Sequence, residues 1–495
     1  VLFRSLVVMK SGALLVVLSL LLIFSIAHAR EEIKSLPGLE RMPSFHMYSG
    51  YMNVNPATGR NLFYMFVESA NHPSEDPVVL WLQGGPGCSG LVGAFTENGP
   101  FRPEKDGKTL SPNPYSWNAA ANVIYLESPS GVGFSYSEDK ADYNVGDDRT
   151  SMDTLNFLYL FFEEFPEFAT NDFWISGESY GGHYVPQLAQ RIFHANKNSP
   201  KLKINFKAFA LGNPLIEMQS NIRAQYDVWG THTLFDYTTY AELKEVCSFY
   251  NPRHPDEKRC NMLMNEINKQ VGNIDPYDVY TPACLLNSAT QLRQLVRVMG
   301  PAVPAIDAMR HLPLHSVTKE SPFILPELKN HQNQLPQDPS PSGPIDYCID
   351  TYAQDYLNMP TVQDALHARP GTQWLECSNT LNYNMNDTLR DITPLLADFL
   401  KEPDFRFMVY SGDVDSVCAT LSSEYWIEQL NLTAQDVTAK WRPWLDGGNQ
   451  VGGYVKVFKD KFTFATVHNS GHMVPFFQPM RAWDMFSRFF RDTPL

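Results

Sequence analysis

Positive charge is scarce in this chain. Lys and Arg number 39 against 54 Asp and Glu, a net charge of −15. That balance leaves no basic surface for a phosphate backbone, so nucleic acid is not an expected partner. Long apolar runs are scarce as well. Beyond the N-terminal region none approaches the roughly 18 residues of a membrane span, so the mature chain is expected to carry no span. Metal-binding spacings are missing: there is no His-Glu-x-x-His and no clustered Cys/His pattern. Zinc-dependent chemistry is thereby disfavoured, and no metal or cofactor is expected. Cysteine is sparse and odd in number, with seven residues at 88, 247, 260, 284, 348, 377 and 418. An odd count leaves one thiol over if the rest pair.

What is present describes a large exported protein. A chain of 495 residues, 43% hydrophobic and 13% aromatic, can bury a large core and fits one big domain with an insertion. Residues Val1 to Leu6 precede Met9 and read as upstream translated sequence. After Lys10 comes an apolar run of 15 residues, Ala13 to Ala27, closed by Ala27-His28-Ala29. This is the pattern of a signal peptide over 1–29, with the mature chain starting near Arg30. Entry into the secretory route favours disulfides. Asn-x-Thr acceptors for glycosylation stand at Asn386 and Asn431.

The most informative stretch is Gly177-Glu178-Ser179-Tyr180-Gly181, which follows the apolar run Phe173-Trp174-Ile175. A serine on a sharp strand-to-helix turn needs small neighbours so that strand and helix can approach. The helix expected over Tyr184–Ala195 aims its N-terminus, with free N–H groups and partial positive charge, at the serine. Two later strands, Phe405–Tyr410 and Phe462–Val467, run into Ser411-Gly412-Asp413-Val414-Asp415 and His468-Asn469-Ser470-Gly471-His472. Acid and histidine past the carboxyl ends of late strands have the topology to meet Ser179, in the chain order Ser, Asp, His. Residues alone leave Asp413 and Asp415 open as the acid, and His468 and His472 as the base. An earlier strand, Val78–Leu82, leads into Gln83-Gly84-Gly85-Pro86-Gly87. A glycine-rich loop there supplies one backbone donor for an oxyanion, and the residue after the serine supplies another, which points to Gly85 and Tyr180.

Around these motifs, residues 76–213 alternate strands (Val78–Leu82, Val123–Leu126, Phe173–Ile175, Phe206–Leu211) with helical pattern, as over Met152–Phe165. From 214 to 347 helical stretches take over, at Tyr240–Phe249, Cys260–Val271 and Gln291–Met299. They are followed by a loop over 321–344 rich in Pro, Asn, Gln and Ser. The division expected is a hydrolase core over 30–213, a mainly helical cap over 214–347 and a second core part over 348–495. Gly-Gly pairs at 447–448 and 452–453 are expected to mark turns. The fold class is α/β, of the α/β-hydrolase type: a mostly parallel central sheet with helices on both faces and an inserted cap.

Trp81 to Gly90, Gly177 to Pro186, Ser411 to Asp415 and His468 to Pro475 together resemble the serine carboxypeptidase family, and within it the cathepsin A branch. The resemblance selects Asp415 and His472 as partners of Ser179, with Gly85 and Tyr180 as oxyanion donors. It implies removal of C-terminal residues from peptides and proteins in mild acid. Gln83, Gly84, Glu97 and Glu178 would hold the substrate carboxylate, and Met473 would line the pocket beside it. The family usually has Asn where this chain has Gln83, so a shifted clamp is expected. The resemblance also implies disulfides Cys88–Cys377, Cys247–Cys260 and Cys284–Cys348 with Cys418 free. Processing within 321–344, a lysosomal, vacuolar or secreted location, and a homodimer or a stabilising partnership with other lysosomal enzymes are further implications.

Overall fold

Three short runs, Val78–Leu82, Asn122–Leu126 and Phe173–Glu178, are buried at every residue. Strands covered on both faces belong to a parallel sheet sandwiched by helices. The computed structural model describes residues 29–198, 203–284, 345–403 and 405–495. Most of the expected signal segment, the helix expected over 291–299 and the loop 321–344 lie outside the described residues.

The main sheet has eleven strands. In chain order they are β1 (Glu31–Glu32), β2 (Met47–Asn55), β3 (Arg60–Val67), β4 (Val78–Leu82), β5 (Asn122–Leu126), β6 (Phe173–Glu178), β7 (Phe206–Gly212), β8 (Arg406–Gly412), β9 (Val437–Leu445), β10 (Val451–Phe458) and β11 (Phe462–Val467). Their spatial order is β1-β2-β3-β5-β4-β6-β7-β8-β11-β10-β9. The central strands β5, β4, β6, β7, β8 and β11 are parallel. Antiparallel strands extend the sheet at both edges. All parallel strands therefore deliver their carboxyl ends to one edge, where doubly wound sheets place their chemistry.

Side chains alternate between two cores. Leu80 and Leu82 join one apolar cluster, while Val79 and Trp81 join the cluster on the opposite face. The first is covered by α1 (Asp147–Glu164) and α2 (Gly181–Asn198). Helix α1 starts five residues earlier than the apolar pattern at Met152, because Asp147 and Asp148 in its first turn suit the positive end of the helix. Its Phe157, Phe161 and Phe165 meet Tyr64 and Phe66 of β3 edge to face.

Past β7 the described chain adds no strand to the main sheet until β8. Helices α3 (Met218–Thr231), α4 (Tyr237–Val246) and α5 (Glu257–Val271) close a separate small core around Trp229, Tyr240, Leu263 and Ile267. The Cys247–Cys260 disulfide ties α4 to α5. The segment after α5 rests on the carboxyl edge of the main sheet. Val279 N donates to Val414 O, Ser416 N to Pro276 O and His472 N to Tyr277 O, at 3.1, 3.0 and 2.7 Å. Two further disulfides join Cys88 to Cys377 and Cys284 to Cys348, and Cys418 is unpaired and buried.

One turn expected from sequence is a strand instead. Gly447 and Gly448 do lie in the β9–β10 turn, but Gly452 and Gly453 lie inside β10. Close approach explains them. A Cβ on Gly452 would sit 2.4 Å from the Trp444 ring, and one on Gly453 would sit 1.8 Å from Thr466 O. Among the described residues no helix is long and apolar enough to cross a membrane.

Phe161 is fully buried at the centre of the ring cluster. Phe161→Ala is expected to cost about 3–5 kcal/mol in denaturant unfolding. A loss below about 1 kcal/mol would contradict this packing.

Candidate active site

Ser179 stands between the end of β6 and the start of α2 with φ 59°. Non-glycine residues occupy that left-handed region only when their surroundings hold them there. Here Ser179 N donates to Gly212 O at 3.0 Å, while its carbonyl accepts from Gly182 N and Leu215 N at 2.9 Å each. The flanking glycines make room. A Cβ on Gly177 would approach Val185 Cγ2 to 2.7 Å, and one on Gly182 would approach Leu215 O to 2.3 Å. Helix α2 begins at Gly181, earlier than its apolar pattern suggests, because Gly182 N and His183 N bond back three residues and tighten the first turn. Ser179 itself is half-buried, whereas Glu178 and Tyr180 on either side are buried.

The two acid–histidine alternatives separate cleanly. His472 Nδ1 lies 2.8 Å from Asp415 Oδ2, and both side chains are buried. His468 Nδ1 lies 2.7 Å from Asp413 Oδ2, but the His468 side chain is 60% exposed. Asp415 is further held by Asn213 Nδ2, Val417 N and Cys418 N at 2.8, 2.7 and 3.1 Å. Asn213 follows Gly212, whose carbonyl anchors Ser179 N, so one peptide links the serine turn to the buried acid. Cys418 is buried beside Asp415, and its thiol is pushed up by burial and by the Asp415 charge. The Tyr277 ring packs edge-on against His472 with centroids 5.2 Å apart.

The Gln83–Gly87 loop lies against this turn. A Cβ on Gly84 would sit 2.6 Å from Ser179 Cβ and from Tyr180 N. Gly85 has φ 111°, a backbone conformation that favours glycine. Gly87 N donates to Tyr184 Oη at 3.1 Å. Tyr180 is fixed from behind, with its hydroxyl 2.9 Å from Asp147 Oδ1 and its ring stacked on His183.

Gln83, Glu97 and Glu178 form one buried group. Gln83 Nε2 donates to Glu97 Oε1 and to Glu178 Oε1, each at 3.1 Å, while its Oε1 accepts from Trp81 Nε1 at 2.8 Å. The extra methylene of Gln83 thus lets one amide reach both acids with its carbonyl anchored. The remaining oxygens, Glu97 Oε2 and Glu178 Oε2, are buried and have no donor of their own. The two carboxyl groups face each other at hydrogen-bonding range. Only a proton between them turns that contact into a bond. Burial raises Glu97 to about 7, against the hydrogen bonds with Glu178 and Gln83 that hold it down. Burial and then the Glu97 charge raise Glu178 well above the usual carboxylate range. The pair therefore holds a proton between its facing oxygens.

Met473 is half-buried and packs with Ile349, Phe476 and Phe477. Asn386 and Asn431 are exposed. Sequence reasoning missed Asn213 and Tyr277. Asn213 had a usable signal, since it sits with φ 38° in a Gly-Asn-Pro turn at the carboxyl end of β7. Tyr277 had none, because its placement depends on how the segment after α5 folds back onto the sheet edge.

Comparison with known proteins identifies the family and the fold. A family model described as "Serine carboxypeptidase" matches residues 37–492. Serine carboxypeptidase-like 26 of Arabidopsis thaliana is 38% identical over 473 residues, covering 94% of each chain. Serine carboxypeptidase 24 of the same plant is 37% identical over 473 residues, 94% of this chain and 93% of its own. A solved prohormone-processing carboxypeptidase from Saccharomyces cerevisiae shares the fold with a TM-score of 0.68 at 20% identity, covering 94% of this chain and 95% of its own.

The acid pair sets a pH dependence of stability. Glu97 and Glu178 are raised in the fold, so the pair keeps a proton where the unfolded carboxyls have ionised. That stability is fully present below about pH 4.3 and is lost as pH rises through the folded values. Between pH 5 and 7.5 the Tm of wild type is expected to fall more steeply than that of Glu97→Gln. Equal slopes in differential scanning calorimetry would contradict the shared proton.

Proposed function

The chain belongs to the serine carboxypeptidase family, and we propose that it releases C-terminal amino acids from peptides with Ser179, His472 and Asp415 as a catalytic triad. One observation carries this reading: the buried 2.8 Å contact of His472 with Asp415, bonded through Asn213 to the turn that holds Ser179.

Ser179 Oγ attacks the last peptide carbonyl while His472 takes its proton. Asp415 accepts from Nδ1, which orients the ring and stabilises the imidazolium. The developing oxyanion is bound by the N–H groups of Gly85 and Tyr180. His472 returns the proton to the leaving amine, and water then cleaves the acyl-enzyme by the same steps in reverse. The leaving amino acid is held by its own carboxylate. Gly84 N–H and the proton of the Glu97–Glu178 pair donate to it, Gln83 Nε2 joins them by releasing one of the two acids it now bonds, and Met473 lines the side-chain pocket. A carboxylate approaching Glu97 and Glu178 is tolerated only while their proton remains, so binding favours mild acid. Neutral His472 is needed as base, which sets the acid limit. Disulfides and an acid-adapted clamp fit export to a lysosome, a vacuole or the exterior. The cap over 214–347 and processing within 321–344 belong to the same proposal, as do glycosylation at Asn386 and Asn431 and a homodimeric or partner-stabilising role.

Ser179→Ala tests the assignment. Turnover of a blocked dipeptide is expected to fall by about 10⁴–10⁶ in kcat, with secretion and Tm unchanged. Retention of more than a few per cent of activity would rule out Ser179 as nucleophile.

A further inference from the structure

Glu127 is a fully buried carboxyl that the proposed reaction does not use. It follows the last residue of β5, at the carboxyl edge where the reactive groups gather. Its Oε1 receives two donors from distant parts of the chain, Ser89 Oγ at 2.5 Å and Trp374 Nε1 at 2.8 Å. Oε2 accepts from Phe134 N at 2.6 Å, and the backbone carbonyl accepts from Ser135 Oγ at 2.6 Å. A Cβ on Gly133 would fall 1.9 Å from Oε1, so the 131–135 turn wraps directly over the carboxyl.

The two donors on Oε1 end two segments that clamp one another. The loop from Gly84 to Ser89 carries Gly85, and its Ser89 Oγ also caps the next turn by accepting from Leu91 N at 3.1 Å. The strap from Trp374 to Ser378 runs beside it. Ser89 N donates to Glu376 O at 2.8 Å, Ser378 N donates to Gly87 O at 2.9 Å, and Cys88 is bonded to Cys377. The loop is thus tied to the strap, and both are tied to a single oxygen of Glu127. Burial raises this carboxyl to about 7 against its several donors. Keeping a costly acid here, where an apolar residue would fill the space, calls for a reason beyond packing.

We propose that Glu127 is a positioning residue that fixes the backbone N–H of Gly85 toward the oxyanion, acting through Ser89 and Trp374. It rests on the reading of Ser179 and Gly85 given above. A donor displaced by a fraction of an ångström costs transition-state binding while ground-state binding is largely kept. Trp374→Phe removes one donor while keeping an aromatic ring in the space, Ser89→Ala removes the other, and Glu127→Gln puts an amide against Phe134 N or Ser89 Oγ.

Each variant is titrated with a fluorophosphonate that labels reactive serine, so that kcat is counted per active site. The expected result is a fall in kcat of about 10- to 100-fold. KM for a free-acid peptide should change less than about threefold. Affinity for a blocked dipeptide aldehyde, whose adduct places an oxyanion without using the carboxylate clamp, should fall by the same factor as kcat/KM. A merely structural role would lower Tm and the number of titratable sites and leave kcat per site at the wild-type value in all three variants, and that result overturns the inference. If Glu127→Gln does not fold, Trp374→Phe and Ser89→Ala decide on the same criterion. Wild-type turnover that persists in Ser179→Ala sinks the reading of the site and this inference with it. Normal kcat per site in the variants of a Ser179-dependent enzyme sinks this inference alone.

Discussion

The backbone of Ser179 is the constraint around which the carboxyl edge of the sheet is arranged. A serine at φ 59° stays there only because Gly212, Gly182 and Leu215 bond its peptide groups. Holding it demands glycine at 177 and 182, where side chains would strike Val185 and Leu215 O. Glycine at 84 follows from the same demand, because the neighbouring loop must touch the turn. The bond to Gly212 also brings Asn213 beside Asp415, and Asp415 then orders His472. Each later group is thus placed relative to one strained residue.

Around that turn the electrostatics are set by carboxyl groups more than by ion pairs. Glu97, Glu178 and Glu127 are buried, and the hydrogen-bond donors they receive are neutral amide, hydroxyl, indole and backbone groups. Burial disfavours their ionised forms, so each is pushed above the usual carboxylate range. Asp147 beside Tyr180 goes the other way. Burial opposes its charge, but His183, Tyr383 and Gln187 outweigh that cost and lower it. One site therefore holds acids that prefer a proton and acids that do not, separated by their donors.

Much of the centre was legible in the sequence. Strands β4, β6, β7, β8 and β11 announced themselves as short, mostly apolar runs, and the Gly-x-Ser-x-Gly pattern marked the sharp turn at Ser179. The hairpin of β2 and β3 was missed: Ser, Gly and Asn interrupt the apolar pattern of β2, but Leu62–Val67 of β3 is an unbroken apolar run that could have been read as a strand. The Gly452–Gly453 pair misled, since its glycines answer to Trp444 and Thr466 across the sheet. Asp413 and Asp415 could not be told apart by residue type. Burial separates them, and the segment Pro276–Val279 that bonds over this edge lies far away in sequence. Glu127 gave no sequence signal because the two donors on its Oε1, Ser89 and Trp374, are 38 and 247 residues distant.

The central claim is that a proton held between Glu97 and Glu178 lets the site grip a carboxylate. It is tested most directly by the pH dependence of KM for one peptide in two forms, a free C-terminal acid and its amide. Raising pH removes the shared proton and sets like charges against the free acid, so its KM should climb between about pH 5 and 7.5. The amide brings no charge, and its KM should stay nearly flat over the same range. Parallel KM profiles for the two forms would contradict the account.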